Sequence, residues 1–214
     1  MKKSKIFFYS LWVLLPLLAI YVVTNSPYFF GLNNSLSITN FLLRVLALTA
    51  LPLLAWQIFL GAFMGKLTAK FGGWVANYHF NQGIILGTLI LMHPLMRLTE
   101  RYLAIAKLDP FYIFTDVCLL CSEKQELYLS FGRFGFWLIV LAIIAAKIRH
   151  WDWWKANWRY FHWANYVGFL AVFLHGLKIG TDFHSVIFLP LAYLSLGLVV
   201  ASIVKRLIGL KDLL

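Results

Sequence analysis

The chain is organised as long apolar runs separated by short segments of charged and turn-forming residues. A helix of about 20 apolar residues crosses the hydrocarbon core of a bilayer, and six runs approach or exceed that length. Pro52 and Pro190 fall inside runs, where neighbouring helices can satisfy the carbonyl that each proline leaves without a donor. The pattern predicts an all-α membrane protein, a six-transmembrane-helix bundle forming a single domain over residues 1–214, with spans at 6–23, 41–64, 78–95, 127–146, 160–177 and 185–204.

Composition agrees with a membrane protein, since 62% of the 214 residues are hydrophobic and 13% are charged. A soluble domain carries about a quarter charged residues. The net charge of +11 does not indicate a nucleic-acid partner, because the basic residues lie in short clusters between apolar runs. No small-residue cleavage site follows the first run, so we interpret it as a retained helix rather than a signal peptide.

The Lys and Arg distribution predicts an orientation. The loop at 24–40 has no basic residue, whereas alternate loops and the termini are rich in them. The positive-inside rule then places both termini in the cytoplasm of a multi-pass protein of the plasma or inner membrane, with the third and fifth helices parallel. Twelve of the nineteen basic residues fall on the predicted cytoplasmic side: Lys2, Lys3, Lys5, Lys66, Lys70, Lys147, Arg149, Lys155, Arg159, Lys205, Arg206 and Lys211.

Two pairs of histidines lie in the third and fifth runs. His79 and His93 are fourteen residues apart, and His162 and His175 are thirteen apart, which on a helix separates each pair by roughly 20 Å. Ionisable residues inside a span indicate function, and imidazole is a common axial ligand of haem iron. Parallel helices predict an inner haem on His79 and His162 and an outer haem on His93 and His175. Zinc is less favoured than haem, because zinc ligands must surround one ion, whereas the two histidines of each pair lie roughly 20 Å apart.

The thirteen-residue interval does not suit a straight helix. Fourteen residues are nearly four turns, which keeps His79 and His93 on one face, but thirteen are about 3.6 turns. We therefore expect a bulge, an over-wound stretch or a bend near Gly168, or else two haems approached from different angles.

These features together resemble the ferric reductase-like transmembrane domain superfamily. It includes the membrane parts of NADPH oxidases and ferric reductases, and the membrane subunit of bacterial periplasmic methionine sulfoxide reductase systems. The resemblance covers most of the chain and depends on four histidine positions. The segments that carry it are Tyr78-His79-Phe80-Asn81-Gln82-Gly83, Leu91-Met92-His93-Pro94-Leu95, Tyr160-Phe161-His162-Trp163, Phe173-Leu174-His175-Gly176-Leu177 and Gly180-Thr181-Asp182.

The resemblance implies a transmembrane electron carrier with two haem b groups. Oxidase and reductase members carry a flavin- and nucleotide-binding domain after the last helix, whereas no Gly-rich phosphate loop follows Val204 here. We expect an oxidoreductase component that receives electrons from a cytoplasmic flavin/NAD(P)H reductase or from quinol, with any flavin supplied by the partner. The acceptor would be extracytoplasmic: ferric iron, oxygen or a protein.

Two alternatives remain open. One is a haem-binding membrane subunit dedicated to a periplasmic reductase such as methionine sulfoxide reductase, which a neighbouring gene for that enzyme would favour. The other is a haem-free six-span transporter or assembly scaffold, which a colourless purified protein would favour.

Arginines near the predicted outer face are candidate partners of haem propionates, because Arg grips carboxylates with two hydrogen bonds. Arg44 and Arg97 are the candidates, with Arg101 one turn further on. Snorkelling to the membrane interface explains these positions equally well.

The remaining polar candidates have simpler explanations. Cys118 and Cys121 form a CxxC motif in the long loop, where a structural disulfide or a pair of buried thiols is favoured over catalysis. His150 lies in a Trp-rich segment typical of an interfacial anchor. His184 lies in a loop near His175, where contact with an acceptor or a propionate is the less favoured interpretation.

Overall fold

The computed structural model describes residues 2–118 and 120–211, and this part of the chain is built from helices. The all-α class therefore agrees with the prediction from sequence. The described residues form eight helices: α1 (Lys2–Thr24), α2 (Ser35–Phe71), α3 (Trp74–Ile105), α4 (Pro110–Phe114), α5 (Lys124–Lys147), α6 (Asp152–His162), α7 (Ala164–Ile179) and α8 (Phe188–Lys211).

Four of the described helices are long and apolar enough to cross a membrane, namely Lys3–Thr24, Ser35–Phe71, Lys124–Lys147 and Phe188–Ile208. The protein is therefore a membrane protein whose apolar helices contact lipid. The prediction of a six-transmembrane-helix bundle with two haems between its third and fifth helices is wrong in its span count. Polar residues such as Asn81 and Gln82 lower the hydropathy of α3, and α7 has only 16 residues, fewer than the roughly 20 that a span needs.

The fifth apolar run is not one continuous helix. α6 ends at His162, Trp163 forms a turn, and α7 begins at Ala164. The helix is therefore interrupted at Trp163, and the expectation of a bulge, an over-wound stretch or a bend near Gly168 is wrong, because Gly168 is helical. Consequently, His162 and His175 belong to two different helices.

The described helices fall into two compact units. One unit is built from α1, α2, α3 and α8, and the other from α4, α5, α6 and α7. In the first unit, α2 packs against α1, α3 and α8. The capping box between Asn34 and Ser37 starts α2. Gly72 ends it with a φ of +100°, a backbone conformation that favours glycine.

An aromatic cluster joins α1 to α3 in the first unit. Phe8 and Tyr78 are buried and meet edge to face with ring centroids 5.1 Å apart. The Tyr78 hydroxyl donates to the Phe8 carbonyl oxygen at 2.7 Å. This cluster fixes the end of α3 that carries His79.

A contact between glycines brings α5 and α7 close together in the second unit. A Cβ atom placed on Gly135 would lie 2.9 Å from the Gly168 carbonyl oxygen, and one on Gly168 would lie 3.2 Å from that of Gly135. Small residues are the usual means by which helices of membrane proteins approach so closely. The close approach places the backbone of α5 within reach of side chains on α7.

Candidate functional site

His93 is held by a backbone carbonyl of the neighbouring helix. Its Nδ1 atom lies 3.1 Å from the carbonyl oxygen of Leu43 on α2. Because a carbonyl oxygen only accepts, Nδ1 must carry the proton of this hydrogen bond. In the neutral ring the lone pair then belongs to Nε2, which is the tautomer that binds a metal through Nε2.

Two histidines of the second unit repeat this arrangement. The Nδ1 atoms of His162 and His175 each lie 3.0 Å from a carbonyl oxygen of α5, that of Ala142 and that of Tyr128 respectively. The same argument assigns the proton to Nδ1 in both rings. Three of the four predicted ligands therefore share one hydrogen-bonding pattern.

His79 differs from the other three. The side-chain amide of Gln57 on α2 donates to the His79 carbonyl oxygen at 2.8 Å, and its Nε2 atom lies 3.4 Å from Nε2 of the His79 ring. The ring also packs near Gly61, where an added Cβ would lie 3.4 Å from Cε1. A metal bound to Nε2 of His79 would thus require the Gln57 amide to move aside.

The partner positions have a regular spacing that the histidines alone do not show. Leu43 and Gln57 are fourteen residues apart on α2, and Tyr128 and Ala142 are fourteen residues apart on α5. Fourteen residues are nearly four turns, or roughly 21 Å of helix. Each unit therefore holds two imidazoles against one face of a single helix. The turn at Trp163 lets His162 and His175 do so despite their thirteen-residue interval.

The ring of His175 occupies space that a glycine leaves open. A Cβ atom placed on Gly132 of α5 would lie 2.6 Å from Nδ1 and 2.7 Å from Cε1 of His175. No real Cβ contact is so short, so this position must be glycine for the ring to lie where it does.

Arg44, a predicted propionate partner, is engaged within the first unit. Its Nε and Nη2 atoms donate to the two carboxylate oxygens of Asp182 at 2.7 and 2.6 Å, and Nη1 donates to the Tyr28 carbonyl oxygen at 2.8 Å. Arg97, the other candidate, pairs with Glu100. Contact of either arginine with a haem propionate stays a prediction.

The CxxC motif forms a disulfide between Cys118 and Cys121, as the structural interpretation expected. The Cys118 amide donates to the Ser130 hydroxyl at 2.8 Å, which ties this loop to α5. His150 is exposed in the turn before α6. The ring of His184 lies 6.0 Å from that of Phe183.

Sequence reasoning assigned no role to Gln57, Gly132 or Asp182, although Asp182 lies in a segment that carries the resemblance. Gly132 had a usable signal, since a glycine among bulky apolar residues of a membrane helix often marks a close contact. Gln57 and Asp182 had the signal of a polar residue in or beside an apolar run. Their partners, however, lie 22 and 138 residues away along the chain.

Comparison with known proteins identifies no family. No protein-family model, curated protein or solved structure matches this chain. Within residues 2–118 and 120–211, no three His, Cys, Asp or Glu side chains gather into a metal-ion site, whereas a six-coordinate haem takes two protein ligands. The function is therefore argued from the contacts described above.

Proposed function

We propose that this membrane protein carries b-type haem and transfers electrons, with His79, His93, His162 and His175 as axial ligands. The observation that carries the proposal is the Nδ1 hydrogen bond to a helix carbonyl at three of the four imidazoles. Histidines that bind metals usually donate their other ring N–H to a carbonyl or carboxylate, which fixes the ring and makes the ligand nitrogen more basic.

The regular spacing of the partner positions favours ligands over polar contacts that merely join helices. A histidine that joins helices needs one hydrogen bond at whatever position is convenient. Here, the two imidazoles of each unit contact two residues of a single helix, α2 in the first unit and α5 in the second. In both helices the two contacted residues are fourteen positions apart. Two cofactors held at two fixed depths in a membrane would require such a spacing. The pairing of the four histidines on particular irons stays a prediction.

A haem held by two of these histidines would supply an iron that changes between the ferrous and ferric states and has no open position for oxygen. The chain's own residues would set the conditions for that change. Carbonyl groups of α2 and α5 orient the rings and select their tautomer.

The partners in this proposal follow from the charge pattern and from the resemblance to the ferric reductase-like superfamily. Both termini lie in the cytoplasm of a plasma or inner membrane, as the distribution of basic residues favours. A cytoplasmic flavin/NAD(P)H reductase or quinol supplies electrons, and an extracytoplasmic acceptor such as ferric iron, oxygen or a protein receives them. The chain is then an oxidoreductase component.

The test is an optical difference spectrum, reduced minus oxidised, of the full chain purified from cells supplied with haem. Haem per chain is measured by the pyridine haemochrome method in the same sample. We expect the α-band of low-spin b-type haem and about two haems per chain, since each iron takes two imidazoles. A folded, colourless protein would overturn the proposal and favour the transporter or scaffold alternative.

A further inference from the structure

The helix α6 lies beside the end of a helix that is long and apolar enough to cross a membrane. α5 ends at Lys147, and four residues separate it from Asp152, the first residue of α6. Four extended residues span at most about 14 Å. At the other end of α6, His162 contacts the carbonyl oxygen of Ala142, five residues before the end of α5. α6 is therefore confined to the region where α5 leaves the apolar core of the bilayer.

α6 is amphipathic, and none of its eleven residues is buried. Lys155 and Arg159 are four residues apart, so they share one face of the helix, and both are exposed. Trp153 and Tyr160 are seven residues apart and share the other side, where they are 60% and 67% exposed. A helix that packed into a protein core would bury its apolar side. The aromatic side of α6 is thus available to the surroundings of the protein.

The aromatic side chains of α6 pack against one another. The ring centroids of Trp153 and Trp154 are 5.0 Å apart, and those of Trp154 and Phe161 are 4.8 Å apart. These contacts hold the rings as one broad surface instead of separate flexible side chains. Trp and Tyr are enriched at membrane interfaces, since one end of each ring is apolar and the other makes hydrogen bonds.

The charges near α6 favour an anionic surface. Arg149 donates to the carbonyl oxygen of Ala146 at 3.4 Å, and the Arg159 guanidinium lies over the ring of Trp158 at 5.8 Å. Asp152 is the first residue of α6, where the helix dipole favours a negative charge. Positive charges exceed negative ones by three in the segment 147–159, and within residues 2–118 and 120–211 none of its basic residues forms an ion pair: Lys147, Arg149, Lys155 and Arg159.

We propose that α6 binds the surface of a membrane that contains anionic phospholipid. The lipid phosphates accept hydrogen bonds from Lys155 and Arg159, whose long side chains reach them from the polar side of the helix. Trp153 and Tyr160 lie at the boundary between headgroups and acyl chains. Amphipathic helices with basic residues on one face and aromatic residues on the other bind membranes in this way.

A membrane surface fits both sides of α6, which other anions do not. Free phosphate would satisfy Lys155 and Arg159 but would leave the aromatic side uncovered. An acidic protein surface would account for the charges, but it would not require the helix to lie beside the end of α5. The aromatic residues therefore distinguish a lipid surface from these two alternatives.

α6 also carries His162, so the lipid contact and a candidate haem ligand belong to one helix. The ring of Trp158 lies beneath Arg159 and 5.6 Å from the ring of His162. The proposed lipid contact itself does not depend on haem. Its test therefore stands apart from the test of the proposed function.

The experiment is native mass spectrometry of the purified, delipidated full chain, titrated with phosphatidylglycerol or with phosphatidylcholine. We expect phosphatidylglycerol to bind more tightly. The double variant Lys155→Gln/Arg159→Gln should weaken phosphatidylglycerol binding about 25-fold, because each basic residue near an anionic surface contributes about fivefold. The matched control is Lys66→Gln/Lys70→Gln, which removes two exposed basic residues four positions apart near the end of α2. It should weaken the binding much less.

A second pair of substitutions tests the aromatic side. Trp153→Ala/Tyr160→Ala should weaken the binding of phosphatidylglycerol and phosphatidylcholine by similar factors, since contact of the rings with lipid does not depend on headgroup charge. Both residues are exposed, so the helix content measured by circular dichroism should be unchanged.

Four results would overturn the proposal. Two of them concern charge: equal binding of the two lipids, and equal weakening of phosphatidylglycerol binding by the Lys155/Arg159 and Lys66/Lys70 variants. The third is unchanged binding of both lipids by Trp153→Ala/Tyr160→Ala, which would favour an acidic protein as the partner of the basic residues. The fourth is displacement of phosphatidylglycerol by inorganic phosphate at the same concentration, which would indicate a site for free phosphate.

Discussion

Gly132 of α5 lies directly against the imidazole of His175, so closely that a Cβ atom there would be 2.6 Å from Nδ1. The same nitrogen donates to the Tyr128 carbonyl oxygen at 3.0 Å, one turn earlier on α5. One helix therefore supplies both the space for the ring and the hydrogen bond that orients it. The stability of α5 alone does not explain a glycine at position 132, because glycine has a low helix propensity.

The substitution Gly132→Ala should displace the ring of His175 and weaken its bond to Tyr128. Alanine raises the intrinsic helix propensity of the position by about 1 kcal/mol, so α5 should still form. We expect haem per chain to fall from about two to about one, measured by pyridine haemochrome, with the far-ultraviolet circular dichroism unchanged.

The control for this change is Gly197→Ala on α8, where a new Cβ atom would meet nothing within 4 Å. It makes the same chemical change in a helix and should leave haem content as in the wild type. If Gly132→Ala binds as much haem as Gly197→Ala, His175 is not a ligand in the position described.

Replacing individual histidines should remove haem selectively. His93→Ala or His175→Ala should abolish the predicted outer haem while much of the inner haem remains, because each iron depends on its own two ligands. His150→Ala is the matched control, since His150 is exposed in the turn before α6. Haem per chain and the shape of the α-band distinguish the variants. Full haem content in both ligand variants would refute the predicted pairing.

The positions of the long helices could be predicted from the apolar runs, because burial in lipid demands continuous apolar sequence. The interruption at Trp163 could not, since neither Pro nor Gly lies at 160–164 to mark the end of a helix. The predicted span count was wrong because α3 contains polar residues and α7 is short. Both helices contribute histidines to the candidate site.

The four histidines were identifiable because an ionisable group in an apolar run is conspicuous. Their partners were not, since a backbone carbonyl such as that of Leu43 or Tyr128 has no sequence signature. Only the folded arrangement of α2 against α3, and of α5 against α6 and α7, shows the fourteen-residue spacing of the contacts.

The buried pair of Arg44 and Asp182 should be important for stability. Replacing Asp182 with Ala leaves the guanidinium of Arg44 without its carboxylate at a site where only 9% of its side chain is exposed. Breaking a buried pair in this way costs about 3–5 kcal/mol. Thermal unfolding in detergent should therefore show a large fall in Tm for Asp182→Ala.

The comparison for this prediction is the substitution of Arg97 by Gln, which breaks the pair with Glu100. The Arg97 side chain is 42% exposed, and Glu100, which is only 12% exposed, keeps its hydrogen bond from Asn40. Water therefore screens part of this pair, and the loss should be about 1 kcal/mol. Equal losses of stability in the two variants would contradict the distinction between the buried pair and the partly exposed pair.

The disulfide between Cys118 and Cys121 should be structural and not part of electron transfer. The disulfide closes a short loop, and the Cys118 amide of this loop donates to Ser130. In the chain-entropy model, a disulfide that closes a loop of this length raises the free energy of unfolding by about 2 kcal/mol. The double variant Cys118→Ser/Cys121→Ser should lower Tm modestly and keep both haem content and the rate of haem reduction by dithionite or a supplied donor. A loss of electron transfer with haem retained would assign the thiols a redox function.

The contact between Gly135 and Gly168 should tolerate no added carbon. A Cβ on Gly135 would lie 2.6 Å from Cγ1 of Val172 and 2.9 Å from the Gly168 carbonyl oxygen. Gly135→Ala should therefore destabilise the second unit by about 1–3 kcal/mol, the usual cost of overpacking, measured as a lower Tm. The added variant Val172→Ala removes the closer atom, so the double variant Gly135→Ala/Val172→Ala should recover part of the loss. The loss of stability that remains in the double variant is caused by the carbonyl oxygen of Gly168, which cannot move away unless α7 moves. Purely additive effects of the two substitutions would show that α5 and α7 are not in the contact described.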